Sequence, residues 1–344
     1  MNDALIYVDE SSKIPLIGID FLGIIDRGTN VIEIKPITLC NLKCRYCFVN
    51  AGEYTTNFVV DPDYLIQKLK HILKNYKLND IEIHIAPYGE SLLYPKLYYL
   101  IEKLWDINTV KTISMQSNGL LLSKEVIKKL ENVNLTRINI SLNTLNRALA
   151  EYLCNCVTYE MEQLKENIYL LLKSSIKLLL APVWFPKEND TDIEDIIEFV
   201  IQLRSKGYSE EQLQLGIQKY LIYKTGRKLK KIRPKSWGYF YKQLNDLEKK
   251  YNIRLKLGPM DFGIHKRQLS FPLDLKKGEL VTLEIISQGR WNYECIGKIN
   301  EDIGIKVLLK KPFKFSKELI GNQINAKIIK ANYKDNIMTA VFPS

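Results

Sequence analysis

Six short β-type apolar runs, 31–35, 81–85, 110–115, 137–141, 177–183 and 213–218, alternate with segments whose apolar residues recur at helical spacing. No other feature restricts the fold as much, because parallel strands need a long crossover between them, usually a helix. Leu65, Leu69, Ile72 and Leu73 share one helical face, and Leu164, Ile168, Leu171 and Leu172 share another. Each such helix can cover one face of a parallel sheet. Thr191 and Glu194 have the spacing of a capping box, opening a helix that Gly207 closes. Six units fall short of the eight that close a full barrel. The expectation is an α/β chain built as a partial (β/α)6 TIM-type barrel, with its site at the carboxyl ends of the strands.

From about residue 275 the helical spacing disappears. Alternating runs at 281–286, 305–309, 324–329 and 337–342 predict a small C-terminal antiparallel β-barrel. The domain boundaries expected are an N-terminal extension over 1–30, the partial barrel over 31–258, a linker over 259–274 holding Pro259, Gly263 and Pro272, and the small barrel over 275–344. The hydrophobic share of 46% and charged share of 26% are those of a globular chain. Apolar stretches such as 176–185 are short and interrupted by Lys177, and the first residues lack a basic region followed by an apolar one, so a soluble, cytoplasmic protein with no membrane partner is expected.

Six cysteines are too few for a disulfide scaffold in a chain of 344 residues, and three crowd into Cys40, Cys44 and Cys47 directly after the first run of the alternation. Three thiolates on one loop can hold three irons of a four-iron cluster and leave the fourth open. A zinc site would need a fourth ligand, and none stands nearby, since His71 falls in a predicted helix.

The Cys-x3-Cys-x2-Cys spacing, with Tyr46 just before the third cysteine, resembles the signature of the radical S-adenosylmethionine (SAM) superfamily. The resemblance implies a 4Fe-4S cluster on Cys40, Cys44 and Cys47, SAM as the second cofactor, and an electron donor such as ferredoxin or flavodoxin. Tyr88, Gly89 and Glu90 look like the family's Gly-Gly-Glu motif, which meets the methionine amino group, with Tyr88 in place of the first glycine. Ser117, Asn118 and Gly119 end the third strand, and Ser141, Leu142 and Asn143 end the fourth. They resemble positions that contact the methionine carboxylate and the ribose, although polar residues at strand ends also cap the next helix. The stretch 182–190 resembles a Pro-Gly-x-Asn-Asp turn that reverses the chain and caps a helix, and Val183 or Trp184 would line an adenine pocket.

Cys154, Cys156 and Cys295 do not form a second cluster motif, so no auxiliary cluster is expected. Cys154 and Cys156 are candidate methyl-carrying or hydrogen-donating thiols, or ordinary cysteines. Of the nineteen residues 219–237, eight are basic, including Lys224, Arg227, Lys228, Lys230, Lys231, Arg233 and Lys235, with aromatics at both ends. Such a stretch is a solvated loop or a grip on phosphates and unstacked bases. The net charge of +11 also favours a polyanionic partner. Gly278–Val281, Gly289–Trp291, Gly297 and Gly321–Ala326 resemble a TRAM domain, an OB-like RNA-binding barrel, although a barrel used for dimerisation or as a lid also fits. Together these regions resemble an archaeal type of radical SAM enzyme. The function expected is radical modification of RNA, tRNA or rRNA; the alternative is modification of a protein, peptide or lipid precursor.

Overall fold

The computed structural model describes residues 4–74, 79–268, 275–331 and 335–343. The chain divides into two compact units. One comprises Met1–Leu39, Glu53–Lys111 and Ile264–Ser344, and the other comprises Cys40–Gly52 and Thr112–Gly263.

All six expected strands are present. In the first unit Val31–Lys35 pairs in parallel with Ile81–Ile85 and antiparallel with Gly23–Asp26. Asp61 caps the helix Pro62–Leu73 by accepting from the Asp63 and Tyr64 amides. In the second unit, which the strand Val110–Ser117 enters at Thr112, that strand, Arg137–Ile140, Lys177–Leu180 and Leu213–Leu215 lie side by side and parallel. Ile138, Ile140, Leu178, Leu180 and Leu213 are fully buried, and Met161–Leu172 buries Leu164, Ile168, Leu171 and Leu172. This is the mixed α/β fold of parallel strands that the alternation predicts.

Two expected strands end early. The runs 177–183 and 213–218 each break, and their ends re-pair as a separate parallel ribbon, Val183–Trp184 with Gln218–Lys219. Pro182 has no amide to continue the first ladder, and its carbonyl accepts from Gln218 N–H at 2.7 Å. The predicted capping box is not formed. The helix Asp190–Ser205 starts after Asn189 without a side-chain cap, and Glu194 instead pairs with Lys250 and Tyr251. Gly207, at φ +104, does follow the helix end as expected.

The C-terminal residues form a closed barrel of five strands, Leu280–Gln288, Glu294–Lys298, Gly304–Leu309, Gln323–Ala331 and Met338–Phe342. Four neighbouring pairs are antiparallel, but Gly304–Leu309 runs parallel to Met338–Phe342. An odd number of strands cannot alternate in direction all the way round a cylinder, so one parallel pair is unavoidable. Of the expected linker, 269–274 lies outside the described residues; Pro259–Phe262 is a short 3-10 turn. Among the described residues no helix is long and apolar enough to cross a membrane.

Candidate active site

In the second unit Cys40, Cys44 and Cys47 lie half-buried on one loop. The loop is shaped by its own backbone: Cys47 N–H donates to Cys44 O at 3.1 Å, and Asn50 N–H donates to Cys47 O at 3.3 Å. Ala51 N–H points at Cys47 Sγ, 3.3 Å away. Gly52 has φ +82, and a Cβ there would lie 2.4 Å from Leu42 O, so only glycine closes the loop. Burial pushes the Cys47 thiol up, against the pull of the Val49 and Ala51 amides. A hydrogen bond with Cys154, and then burial, hold Cys44 well above the usual thiol range. Cys154 is therefore a buried neighbour of the loop, at the end of the helix Arg147–Cys154. Cys156 is half-buried near Thr158, and Cys295 is buried in the C-terminal barrel.

Tyr46 turns inward. Its ring packs on Phe185 at 4.8 Å, against a buried cluster of Leu153, Phe185, Tyr220, Leu229 and Ile232. Its hydroxyl accepts from Asn143 Nδ2, and Asn143 Oδ1 accepts from Val183 N–H at 2.7 Å. Asn143 thus ties the fourth strand end to the cysteine loop and to the 182–190 turn. Asn189 holds that turn by accepting from Phe185 N–H and donating to Asn143 O and Val183 O. With its side chain spent there, it does not cap the following helix. Trp184 Nε1–H donates to Asp190, and the Trp184 ring stacks on Tyr239.

The other strand-end residues are also engaged. Asn118 Nδ2 donates to Asn41 Oδ1 at 2.8 Å, on the cysteine loop. Ser141 Oγ accepts from Gln116 Nε2, and Ser117 Oγ accepts from Gly119 N–H. Sequence reasoning misses Gln116, because a glutamine inside a strand carries no spacing signal.

The basic segment divides in two. Lys224, Lys228, Lys230, Lys231 and Arg233 are exposed, while Leu229 and Ile232 between them are buried in the Tyr46 cluster. Lys235 lies 5.3 Å from the Tyr239 ring centroid. The Arg227 side chain faces the cysteine loop. It donates through Nε to Cys44 O, through Nη1 to Asn50 Oδ1 and through Nη2 to Ala51 O, at 2.6–2.7 Å.

In the first unit Gly89 is pressed against the backbone of Leu39, where a Cβ would lie 2.1 Å from the carbonyl oxygen. Glu90 N–H donates to that same oxygen at 2.8 Å. The Glu90 side chain is buried, and its Oε1 accepts from Leu92 N–H at 3.0 Å. Tyr88 lies under Lys35, whose Nζ is 4.7 Å from the ring centroid.

The radical SAM superfamily model matches residues 34–200. Over 97% of its length the chain is 33% identical to the uncharacterized protein MJ0103 of Methanocaldococcus jannaschii, covering 80% of that protein. The chain belongs to the radical SAM superfamily. Its cofactors are accordingly a 4Fe-4S cluster and SAM. This radical SAM protein is also 29% identical over 185 residues to a probable GTP 3',8-cyclase of Sulfurisphaera tokodaii, a match covering 52% of this chain and 55% of that one. It thus spans about half the length of that cyclase. A crystal structure of HydG, a maturase of the [FeFe]-hydrogenase, shares the fold at a TM-score of 0.50 and 12% identity, covering 74% of this chain and 56% of that one.

The donor set, three soft thiols on one loop, fits an iron–sulfur cluster. Among the described residues no three His, Cys, Asp or Glu side chains converge tightly enough to hold one metal ion. Soft thiol donors spread along one loop, with an amide aimed at a sulfur, suit the corners of a polynuclear cluster.

Proposed function

We propose that Cys40, Cys44 and Cys47 hold the cluster, that Gly89, Glu90, Ser117, Asn118, Ser141 and Asn143 are residues that contact SAM, and that the substrate is RNA. When bound by these residues, the cluster would supply an electron to SAM and so open radical chemistry on the substrate. The chain's own residues bind and orient. Glu90 presents a buried carboxylate suited to the methionine ammonium, and Gly89 lets the motif approach the backbone of Leu39.

The observation that carries the RNA reading is the attachment of the basic segment to the cysteine loop. Arg227 N–H donates to Cys47 O at 2.8 Å, and a Cβ on Gly226 would lie 2.4 Å from Phe48 O. The segment that carries the exposed lysines is therefore attached to the cysteine loop. In the same unit a cavity of about 260 Å³ is lined by Lys219, Trp237, Phe240, Tyr241, Leu244 and Lys256. Trp237 is 52% exposed, stacks on Tyr241 and has Lys219 over its ring at 5.0 Å. A ring beside an ammonium suits a nucleotide, which offers a base to the one and a phosphate to the other. The C-terminal barrel carries a second such stretch, with Lys310, Lys311, Phe313, Lys314 and Lys317 all exposed, which supports a TRAM-like role for it. The name of the cyclase relatives, which specifies a guanine nucleotide, supports the same ligand class.

Mass spectrometry of nucleosides from the RNA of a deletion strain and its parent tests this reading. Loss of one modified nucleoside is expected. An unchanged nucleoside profile beside an altered protein, peptide or lipid species would transfer the assignment to that class, and conversion of free GTP by the purified enzyme would transfer it to a mononucleotide.

A further inference from the structure

We infer that Arg227 is a positioning residue for the cluster, a splint that fixes the cysteine loop from outside, and not a contact for the substrate. The inference rests on the family assignment and not on the RNA reading. A guanidinium is a rigid, planar fork of five N–H donors, and here three of its nitrogens reach three acceptors spread over the cysteine loop: Cys44 O, Asn50 Oδ1 and Ala51 O. The Arg227 backbone adds a fourth bond, to Cys47 O. Two of the four acceptors are carbonyls of the cysteines themselves. Asn50 has φ +64, the left-handed conformation that asparagine tolerates best after glycine, and this places its side-chain oxygen toward the fork.

The neighbour in sequence is part of the device. Gly226 rests on the Phe48 backbone, where any Cβ would collide, so the segment can approach closely enough for the fork to reach. Tyr220, Leu229 and Ile232 anchor the segment on either side within the buried cluster that also receives Tyr46. A guanidinium whose nitrogens are committed to the cysteine loop is poorly placed to neutralise a phosphate. It does lay a positive charge against the cysteine loop, which favours the more negatively charged, reduced state of a cluster held there.

The test uses the anaerobically reconstituted full chain in wild-type, R227A and R227K forms. Three quantities are read: the rate at which a ferrous chelator removes iron, the midpoint potential of the cluster, and the slope of RNA affinity against salt. R227A should release iron faster by about tenfold or more, given the charge-assisted bonds removed, and its potential should move negative. R227K, which keeps the charge but not the fork, should release iron at an intermediate rate and hold a potential close to wild type. Both variants should keep the wild-type salt slope. Should R227A not fold, R227K and Asn50→Ala decide through the same chelation assay. Iron release within about twofold of wild type in all variants that fold, or a flattened salt slope with iron retained, overturns the inference and makes Arg227 a phosphate contact.

Discussion

The Arg290 guanidinium stands 5.7 Å from the centroid of the Tyr88 ring, so a residue at the edge of the C-terminal barrel reaches the motif position that departs from glycine. Arg290 is buried, bonds Glu294 through two nitrogens at 3.0 Å and also faces the rings of Phe21 and Tyr54. Lys35 and Arg290 both lie over the Tyr88 ring, and tyrosine at this position makes cation–π contacts in place of the freedom of a second glycine. The barrel accordingly has a structural tie to the segment Tyr88, Gly89 and Glu90.

Breaking that tie should be costly. Arg290→Met leaves the buried Glu294 carboxylate without its cation, and the destabilisation expected is about 3–5 kcal/mol. The double variant R290M/E294Q should recover part of it, because no buried charge is then stranded. Chemical denaturation of the three proteins checks both statements, and equal stability of R290M and wild type would show the pair to be dispensable.

Two variants separate the proposed SAM contact of Glu90 from its bond to Leu92 N–H. Glu90→Gln keeps an oxygen for Leu92 N–H but removes the charge offered to the methionine ammonium. SAM affinity should fall about ten- to hundredfold, equivalent to the 1.5–3 kcal/mol of a hydrogen bond to a charged group. Glu90→Ala should bind SAM no better and should also lose the cap of the short turn Ser91–Leu93. Anaerobic calorimetric titration with SAM reads the difference, and an affinity unchanged in both variants would reduce Tyr88, Gly89 and Glu90 to a turn.

Acid should loosen the first unit through Glu33. Burial alone would raise its pKa, but Lys35 and Arg27 beside it outweigh burial and bring it from 4.5 down to about 2. A carboxylate with a depressed folded pKa contributes stability that is fully present above its unfolded pKa and is lost as pH falls through the folded one. The thermal midpoint should therefore drop between pH 4.5 and about 2. Glu33→Gln should be less stable at neutral pH and show a shallower fall over that window.

The regular parts of the fold were legible because burial imposes a period on sequence. The six parallel-sheet strands and the faces of Pro62–Leu73 and Met161–Leu172 all carry it. Glu294–Lys298 does not read as a strand, since it contains Gly297, which is required because a Cβ there would lie 2.4 Å from Leu283 Cδ1. A contact with a residue fourteen positions away leaves no local trace. The cysteine triad was legible from spacing alone, whereas the splint was not. Arg227 sits in a run of lysines and looks like one more surface charge, because nothing local marks which cation of the run turns inward. Likewise the buried Leu229 and Ile232 are masked by the charges around them.

The exposed lysines should control binding through charge alone. Replacing Lys228, Lys230 and Lys231 with glutamine should reduce the slope of log affinity against log salt by about 0.7 for each phosphate that is no longer neutralised on single-stranded RNA, with little dependence on sequence. Filter binding or fluorescence anisotropy across a salt series measures this. A slope identical to wild type in the triple variant would remove the segment from the RNA interface.

The central claim is that Cys40, Cys44 and Cys47 hold a cluster that cleaves SAM. It is tested most directly by incubating the dithionite-reduced, anaerobically reconstituted protein with SAM and quantifying 5′-deoxyadenosine and methionine by mass spectrometry, beside a variant in which all three cysteines are alanine. The account predicts slow formation of both products in equal amounts by the wild type even without substrate, and neither product nor bound iron in the variant. Iron retained by the triple variant, or no 5′-deoxyadenosine from an iron-replete wild type, would contradict it.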